Sequence, residues 1–385
     1  MPNSYKKALS PTGLSLTAVA LVGAASTAAA LILAGILYFT GKGWYLVFNP
    51  WDIETYFDSA RWIVEGGRLY REVSSDYPLF ANVIFATVRY LANFLHSGIY
   101  GFYGLWIALA GVVYLYAVYR TATGTTMLAA LAWLAPGSIY FALFRFDIYP
   151  AVATLMSLFA IQRSRYIEGA AWLGVAVALK GYALCFLPAY CVFVVYQRGF
   201  ANAIKVGALA IAPMLLSLLA TLTFAGWEGM VAPFSFQALR TLNGESTYAT
   251  FNYLFSTPLI PDGPEVRWAA QSLQVGCTLA AAAMRPRNFD DLINAFLFAL
   301  LGFTSFSVFY SPQFVLWILP LVSFSRSRVM LISAIFLSGL TYLYYPIGFF
   351  RYSRYPALFR TAIAAVTLLR LFMMFWAGRT YFERR

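Results

Sequence analysis

Long apolar runs recur from one end of this 385-residue chain to the other. Many have the length, roughly 17 to 25 residues, that a helix needs to cross the hydrocarbon core of a bilayer. Unpaired backbone polar groups are too costly in hydrocarbon, so only helices and closed barrels span it. The runs are rich in Leu, Ala and Phe and lack the period-two alternation of barrel strands, which selects helices. Charged residues make up 11% of the chain, against about 25% in soluble domains. The expected fold is therefore all-α, a polytopic helical membrane protein.

Short basic clusters separate the runs: "QRSRY" at 162–166, "YQRG" with Lys205, "RPR" at 285–287, "SRSR" at 325–328 and the terminal "RTYFERR". Placing them all in the cytoplasm sets an orientation. Twelve crossings follow, near 14–39, 99–119, 127–143, 147–162, 168–180, 183–197, 205–225, 266–284, 290–309, 313–325, 329–349 and 356–377. Both termini are then cytoplasmic, and the protein is expected in the plasma (inner) membrane. Lys6 and Lys7 before the first run resemble a signal peptide, but 26 residues exceed the about 7 to 15 of such a segment. The run is read as a retained span.

The same orientation excludes segment 79–95 as a crossing, because its two flanks must lie outside. Asn82, Arg89 and Asn93 interrupt it, so an amphipathic helix in the outer interface is expected. The runs 168–180 and 183–197 are short, and the turn between them, with Lys180, is expected to dip into the membrane from outside. Three units are expected: 1–225 as a catalytic membrane module including outer loop 40–98, 226–265 as an extracytoplasmic loop, and 266–385 as C-terminal membrane helices.

Net charge is +12, but no soluble basic domain exists to bind nucleic acid, and the cations are read as topology markers. The three cysteines fall inside apolar runs and are read as small hydrophobes rather than a disulfide framework. His96 has no company that would make a metal site.

Of the 15 acidic residues, six fall between positions 49 and 80, and the topology places eleven outside. Arg145, Lys180, Arg240, Arg351 and Arg354 face them from the same side. Carboxylates beside cations above apolar walls suit a reaction on a lipid phosphate. In sugar transfer from a polyprenyl phosphate sugar to a hydroxyl, the leaving phosphate is already a tolerable anion. One base and a few cations then suffice, unlike glycoside hydrolysis with its two carboxylates. In "WDIETYFDSARW", Asp52 and Tyr56 share one helical face while Glu54 and Asp58 lie on another. Periodicity does not choose between them.

Five pieces in order carry a resemblance. "WDIETY" and "GGRLYREVSSDYPLF" are similar to an Asp-x-x-x-Tyr, Gly-x-x-x-Tyr and Tyr-Pro-Pro-Leu series. "FRFDIYPA" is similar to an Arg-x-Asp motif. "LGVAVALKGYALCFLP", "RTLNGES" and "YSPQFVLWILP" are similar to a Gly–Lys–Pro segment, an Arg-x-x-x-x-Glu-Ser loop and a Ser-Pro-Gln-x-x-x-Trp segment. Together they resemble the GT-C superfamily of membrane glycosyltransferases, most of all glycosyltransferase family 87, the polyprenyl-phosphate-mannose-dependent mannosyltransferases. Leu79 departs from the pattern where a second proline is common, and nothing after position 330 matches a motif.

The resemblance implies an inverting enzyme with a polyprenyl phosphate sugar donor, a glycolipid or glycan acceptor and membrane lipids around it; no cofactor is expected, and without a cluster of Asp, Glu and His no metal is required, though two carboxylates could hold one. It implies that Asp52 is the general base, with Lys180, Arg240 and Arg145 at the donor phosphate. Tyr56, Tyr77, Glu245 and Gln313 are candidates for sugar hydroxyls or supporting contacts, and Arg145 and Asp147 are expected to pair. Plainer roles stand beside these: a helix cap for Asp52, snorkelling for Lys180 and headgroup anchoring for Arg351 and Arg354. A lipid or polysaccharide transporter without transfer chemistry is the competing function, to be marked by polar groups at mid-membrane.

Overall fold

The computed structural model describes residues 49–255, 259–350 and 356–383. The expected first span at 14–39 lies outside them, as do Arg351 and Arg354. Among the described residues every regular element is helical, and the single strand-like pairing is the isolated bridge between Leu69 and Val73.

Among the described residues four helices are long and apolar enough to cross a membrane: Gly98–Gly124, Phe200–Ala238, Arg328–Gly348 and Pro356–Glu383. Met127–Trp133 and Pro136–Phe144, bent by 55° at their junction, make a fifth if they count as one span. The proline lies at the start of its own helix, where its missing N–H costs nothing. The expectation of twelve crossings therefore exceeds what helix length and composition give. Several expected spans are short helices: Ile148–Gln162, Tyr166–Leu179 and Leu187–Arg198 have 15, 14 and 12 residues. Ile148–Gln162 buries 13 of its residues against protein. A short apolar run reads alike in sequence whether it faces lipid or its own neighbours.

The segment after residue 49 forms a helix, Trp51–Ser59, a short turn of helix, Trp62–Glu65, and the helix Leu79–Phe94. Ile53 and Tyr56 of the first are fully buried. Tyr56 stacks on Phe85 at 4.5 Å and leans on Trp106 at 4.7 Å. Each such buried aromatic contributes about 1.5–3 kcal/mol from area alone, which clamps the short helix down.

Leu79–Phe94 is amphipathic, with polar side chains turned toward the protein. Asn82 and Arg89 point inward, while Phe80, Val83, Tyr90, Leu91 and Phe94 are exposed. Asn82 donates to the carbonyl of Tyr77 at 2.8 Å. Arg89 donates to the carbonyl of Phe57 and pairs with Glu65 at 2.6 Å. The inward polar groups tie the preceding loop to this helix, a task that polarity alone does not reveal.

Gly226 interrupts the helix Phe200–Ala238 with φ 72° and ψ −173°, a conformation that glycine alone adopts without strain. The Arg71 side chain fills the space a Cβ would take and donates to the carbonyl of Ala225 at 2.5 Å. The segment beyond the break, read from sequence as a loop, is largely helical, with Thr247–Leu254 capped by the Ser246 hydroxyl.

Candidate functional site

Asp52 sits in the first turn of Trp51–Ser59, where a negative side chain meets the positive helix end. It does not cap that helix. Pro50 holds the cap position, and the Asn49 Oδ1 accepts from the backbone N–H of Trp51 at 3.1 Å. The Asp52 carboxylate instead forms an ion pair with Arg145. Asp52 is 31% exposed and Arg145 only 4%, so the carboxylate keeps an open side while the guanidinium is enclosed.

The expected pairing of Arg145 with Asp147 is not what forms. Arg145 is extended, with φ −129° and ψ 147°, as it leaves Pro136–Phe144. Asp147, with φ −61° and ψ −16°, already turns into Ile148–Gln162. The change of backbone direction sends the two side chains to different partners. The second partner of Arg145 is Tyr345, whose hydroxyl accepts from Nη2 at 2.6 Å and from Asn49 Nδ2 at 2.5 Å. One tyrosine from the C-terminal region thus fixes both the residue that holds Asp52 and the residue that starts its helix.

Asp147 is completely buried, and its Oδ1 accepts from Lys180 Nζ at 2.8 Å and from Trp317 Nε1 at 2.6 Å. Lys180 stands where Tyr166–Leu179 ends and the chain enters the 3-10 turn Gly181–Phe186. Its ammonium meets this buried carboxylate rather than reaching for an interface. Trp317 is fixed between Tyr182, stacked at 4.0 Å, and Phe314 at 3.8 Å.

These elements surround a cavity of about 690 Å³, within the range of small-molecule sites. Seven of the nine residues singled out in the sequence line it: Asp52, Tyr77, Arg145, Lys180, Arg240, Glu245 and Gln313. Tyr56 and Asp147 stand behind the wall. The Tyr56 hydroxyl accepts from the backbone N–H of Phe146 at 3.0 Å, between Arg145 and Asp147. Ser311 donates to Gln313 Oε1 at 2.5 Å. Asn243 bonds to Tyr310 through both its amide groups, which docks the 239–246 segment against the 306–312 segment.

Arg240 lies over the Phe309 ring at 3.8 Å, with Phe236 at 4.8 Å. Burial lowers its pKa, against the pull of Asp76. Burial raises the Asp76 pKa, which Arg240 opposes. The Glu245 carboxyl is pushed up to about 8 by burial, although Arg145 and Arg370 act the other way. Among the described residues the cavity therefore joins the open carboxylate of Asp52, the Asp76 carboxyl, a Glu245 carboxyl that keeps its proton near neutrality, and four cations.

Sequence reasoning missed Asp76, Arg267 and Tyr345, all in the wall. Asp76 and Trp317 both stood inside quoted pieces. Nothing around Arg267 or Tyr345 marks them in the sequence.

A model of the family described as Glycosyltransferase family 87 matches residues 76–312, well over half of the chain. The match contains Tyr77, Arg145, Asp147, Lys180, Arg240 and Glu245, and begins after Asp52. No curated protein and no solved structure matches the chain.

Proposed function

The chain belongs to glycosyltransferase family 87, and from that premise we propose that it transfers a sugar from a polyprenyl phosphate sugar to a hydroxyl acceptor with Asp52 as the base. It is a membrane glycosyltransferase; donor, acceptor side and mechanism are our reading. One observation carries it: Asp52, with an open side, shares a cavity with Arg145, Lys180 and Arg240.

In this reading the acceptor hydroxyl gives its proton to the Asp52 carboxylate as its oxygen attacks the anomeric carbon. The bond from that carbon to the phosphate oxygen breaks, and the electron pair leaves with the polyprenyl phosphate. The anomeric centre inverts, because attack and departure lie on opposite faces. Preorganised cations stabilise the charge that grows on the phosphate. A general base contributes typically about 10²–10⁴-fold. Arg145 aims the Asp52 carboxylate, and Tyr345 and Asn49 hold that pair in place. The departing phosphate needs no general acid, so the reading calls for no metal or cofactor. Mannose is the sugar proposed, with a glycolipid or glycan acceptor. A twelve-crossing topology, with the termini cytoplasmic and the cavity extracytoplasmic in the plasma membrane, belongs to the same proposal.

The test is to incubate the purified protein in lipid nanodiscs with polyprenyl phosphate mannose and a mannoside acceptor. Polyprenyl phosphate release together with an elongated α- or β-linked product of inverted configuration is expected. Release without a glycosylated product, or transfer with retention, would overturn the reading.

A further inference from the structure

Among the described residues four cations line the cavity, and they are not equivalent. Arg145 is neutralised by Asp52 and Lys180 by the buried Asp147. Arg240 and Arg267 also line the wall, yet neither takes part in an ion pair within 4.0 Å among the described residues. All 15 Asp and Glu side chains lie within those residues, so no side-chain carboxylate elsewhere pairs with them. Asp76 acts on Arg240 from beyond that distance.

Arg240 is held in place without being satisfied. Arg240 lies flat on Phe309, and its Nε is buried with no hydrogen-bond partner. Arg267 stands in the first turn of Pro264–Ala283, and Gln271, one turn on, follows it along the cavity. Gln274 anchors this helix by donating to the carbonyl of Phe303 at 2.8 Å. Ala270, buried and small, lines the cavity on the same helix. Half-buried guanidinium groups without a counter-ion call for an anion, and their planar forks match phosphate oxygens.

We propose that Arg240 and Arg267 together hold the phosphate of the lipid-linked donor, the two being, among the described residues, the cavity cations outside any ion pair. The assignment rests on the donor reading above and adds Arg267 to it. Lys180 and Arg145, already occupied by Asp147 and Asp52, are less suited to the task.

The experiment measures binding of farnesyl phosphate and of farnesol to the full-length protein in phosphatidylcholine nanodiscs. Wild type should bind the phosphate more tightly than the alcohol, with an affinity that falls as salt rises. Arg240→Ala and Arg267→Ala should each weaken farnesyl phosphate binding by roughly 10- to 100-fold and leave farnesol binding unchanged. Arg267→Lys should retain part of the affinity. Unchanged farnesol binding shows that the variants are folded, and Arg267→Gln, which keeps the side-chain bulk, serves if the alanine variant is lost. Wild-type affinity for farnesyl phosphate in Arg267→Ala or Arg267→Gln would overturn the assignment alone. Wild type that binds the phosphate no better than the alcohol would overturn it together with the donor reading.

Discussion

Lys180 Nζ lies 2.8 Å from Asp147 Oδ1, and Asp147 has no exposed surface. Removing one member of such a pair leaves a buried charge alone and costs about 3 kcal/mol or more. Lys180→Met should therefore lower the melting temperature of the detergent-purified protein markedly. Lys180→Met combined with Asp147→Leu should recover most of that loss, because no charge is then stranded. A double variant no more stable than the single one would show that the pair is not the source of the effect.

Glu245 gives a pH dependence. Its folded-state pKa is raised to about 8, so the folded protein holds a proton that the unfolded chain releases near the ordinary carboxyl value. Stability contributed by this group is full in acid, falls as pH rises from that value through about 8, and then levels. Glu245→Gln should flatten this part of a melting-temperature profile and be the more stable form above pH 8. A profile of the same slope in both proteins would contradict the assignment.

Tyr345 supports Asp52 through Arg145. Tyr345→Phe removes the acceptor of two hydrogen bonds, from Arg145 and Asn49, and should cost about 1–3 kcal/mol of stability. If it also lets the Arg145–Asp52 pair drift, kcat should fall about tenfold while KM for the donor changes little. An equal change confined to KM would point to a binding role.

Gly226→Ala tests the bend in Phe200–Ala238. The positive φ of 72° and the Arg71 side chain in the Cβ position both oppose a larger residue. A loss of about 1–3 kcal/mol is expected, read as a lower melting temperature. An unchanged value would mean that the bend relaxes without cost.

Much of the site was legible in the sequence because its pieces are short and ordered, and seven of the residues they name meet in one cavity. What the sequence does not carry is partnership. Arg145 and Asp147 are two positions apart, and that proximity suggested a pair, but the partner of Arg145 lies 93 positions away at Asp52. Arg267 opens an ordinary helix and Tyr345 follows the last motif, so their importance comes only from where the fold delivers them. The number of spans is hard to read from sequence for a similar reason. Ile148–Gln162 is as apolar as a span, but much of its surface is taken by protein. Gly226 is the converse case: the expected span ended at 225 and the helix breaks at the next residue.

The most direct test of the central claim is the rate of sugar transfer by Asp52→Asn, measured with farnesyl phosphate binding on the same preparation. The variant keeps the shape of the side chain and loses its ability to take a proton. Transfer should fall by about 10²–10⁴-fold while farnesyl phosphate affinity stays within a few fold of wild type. Wild-type turnover by Asp52→Asn would contradict the account.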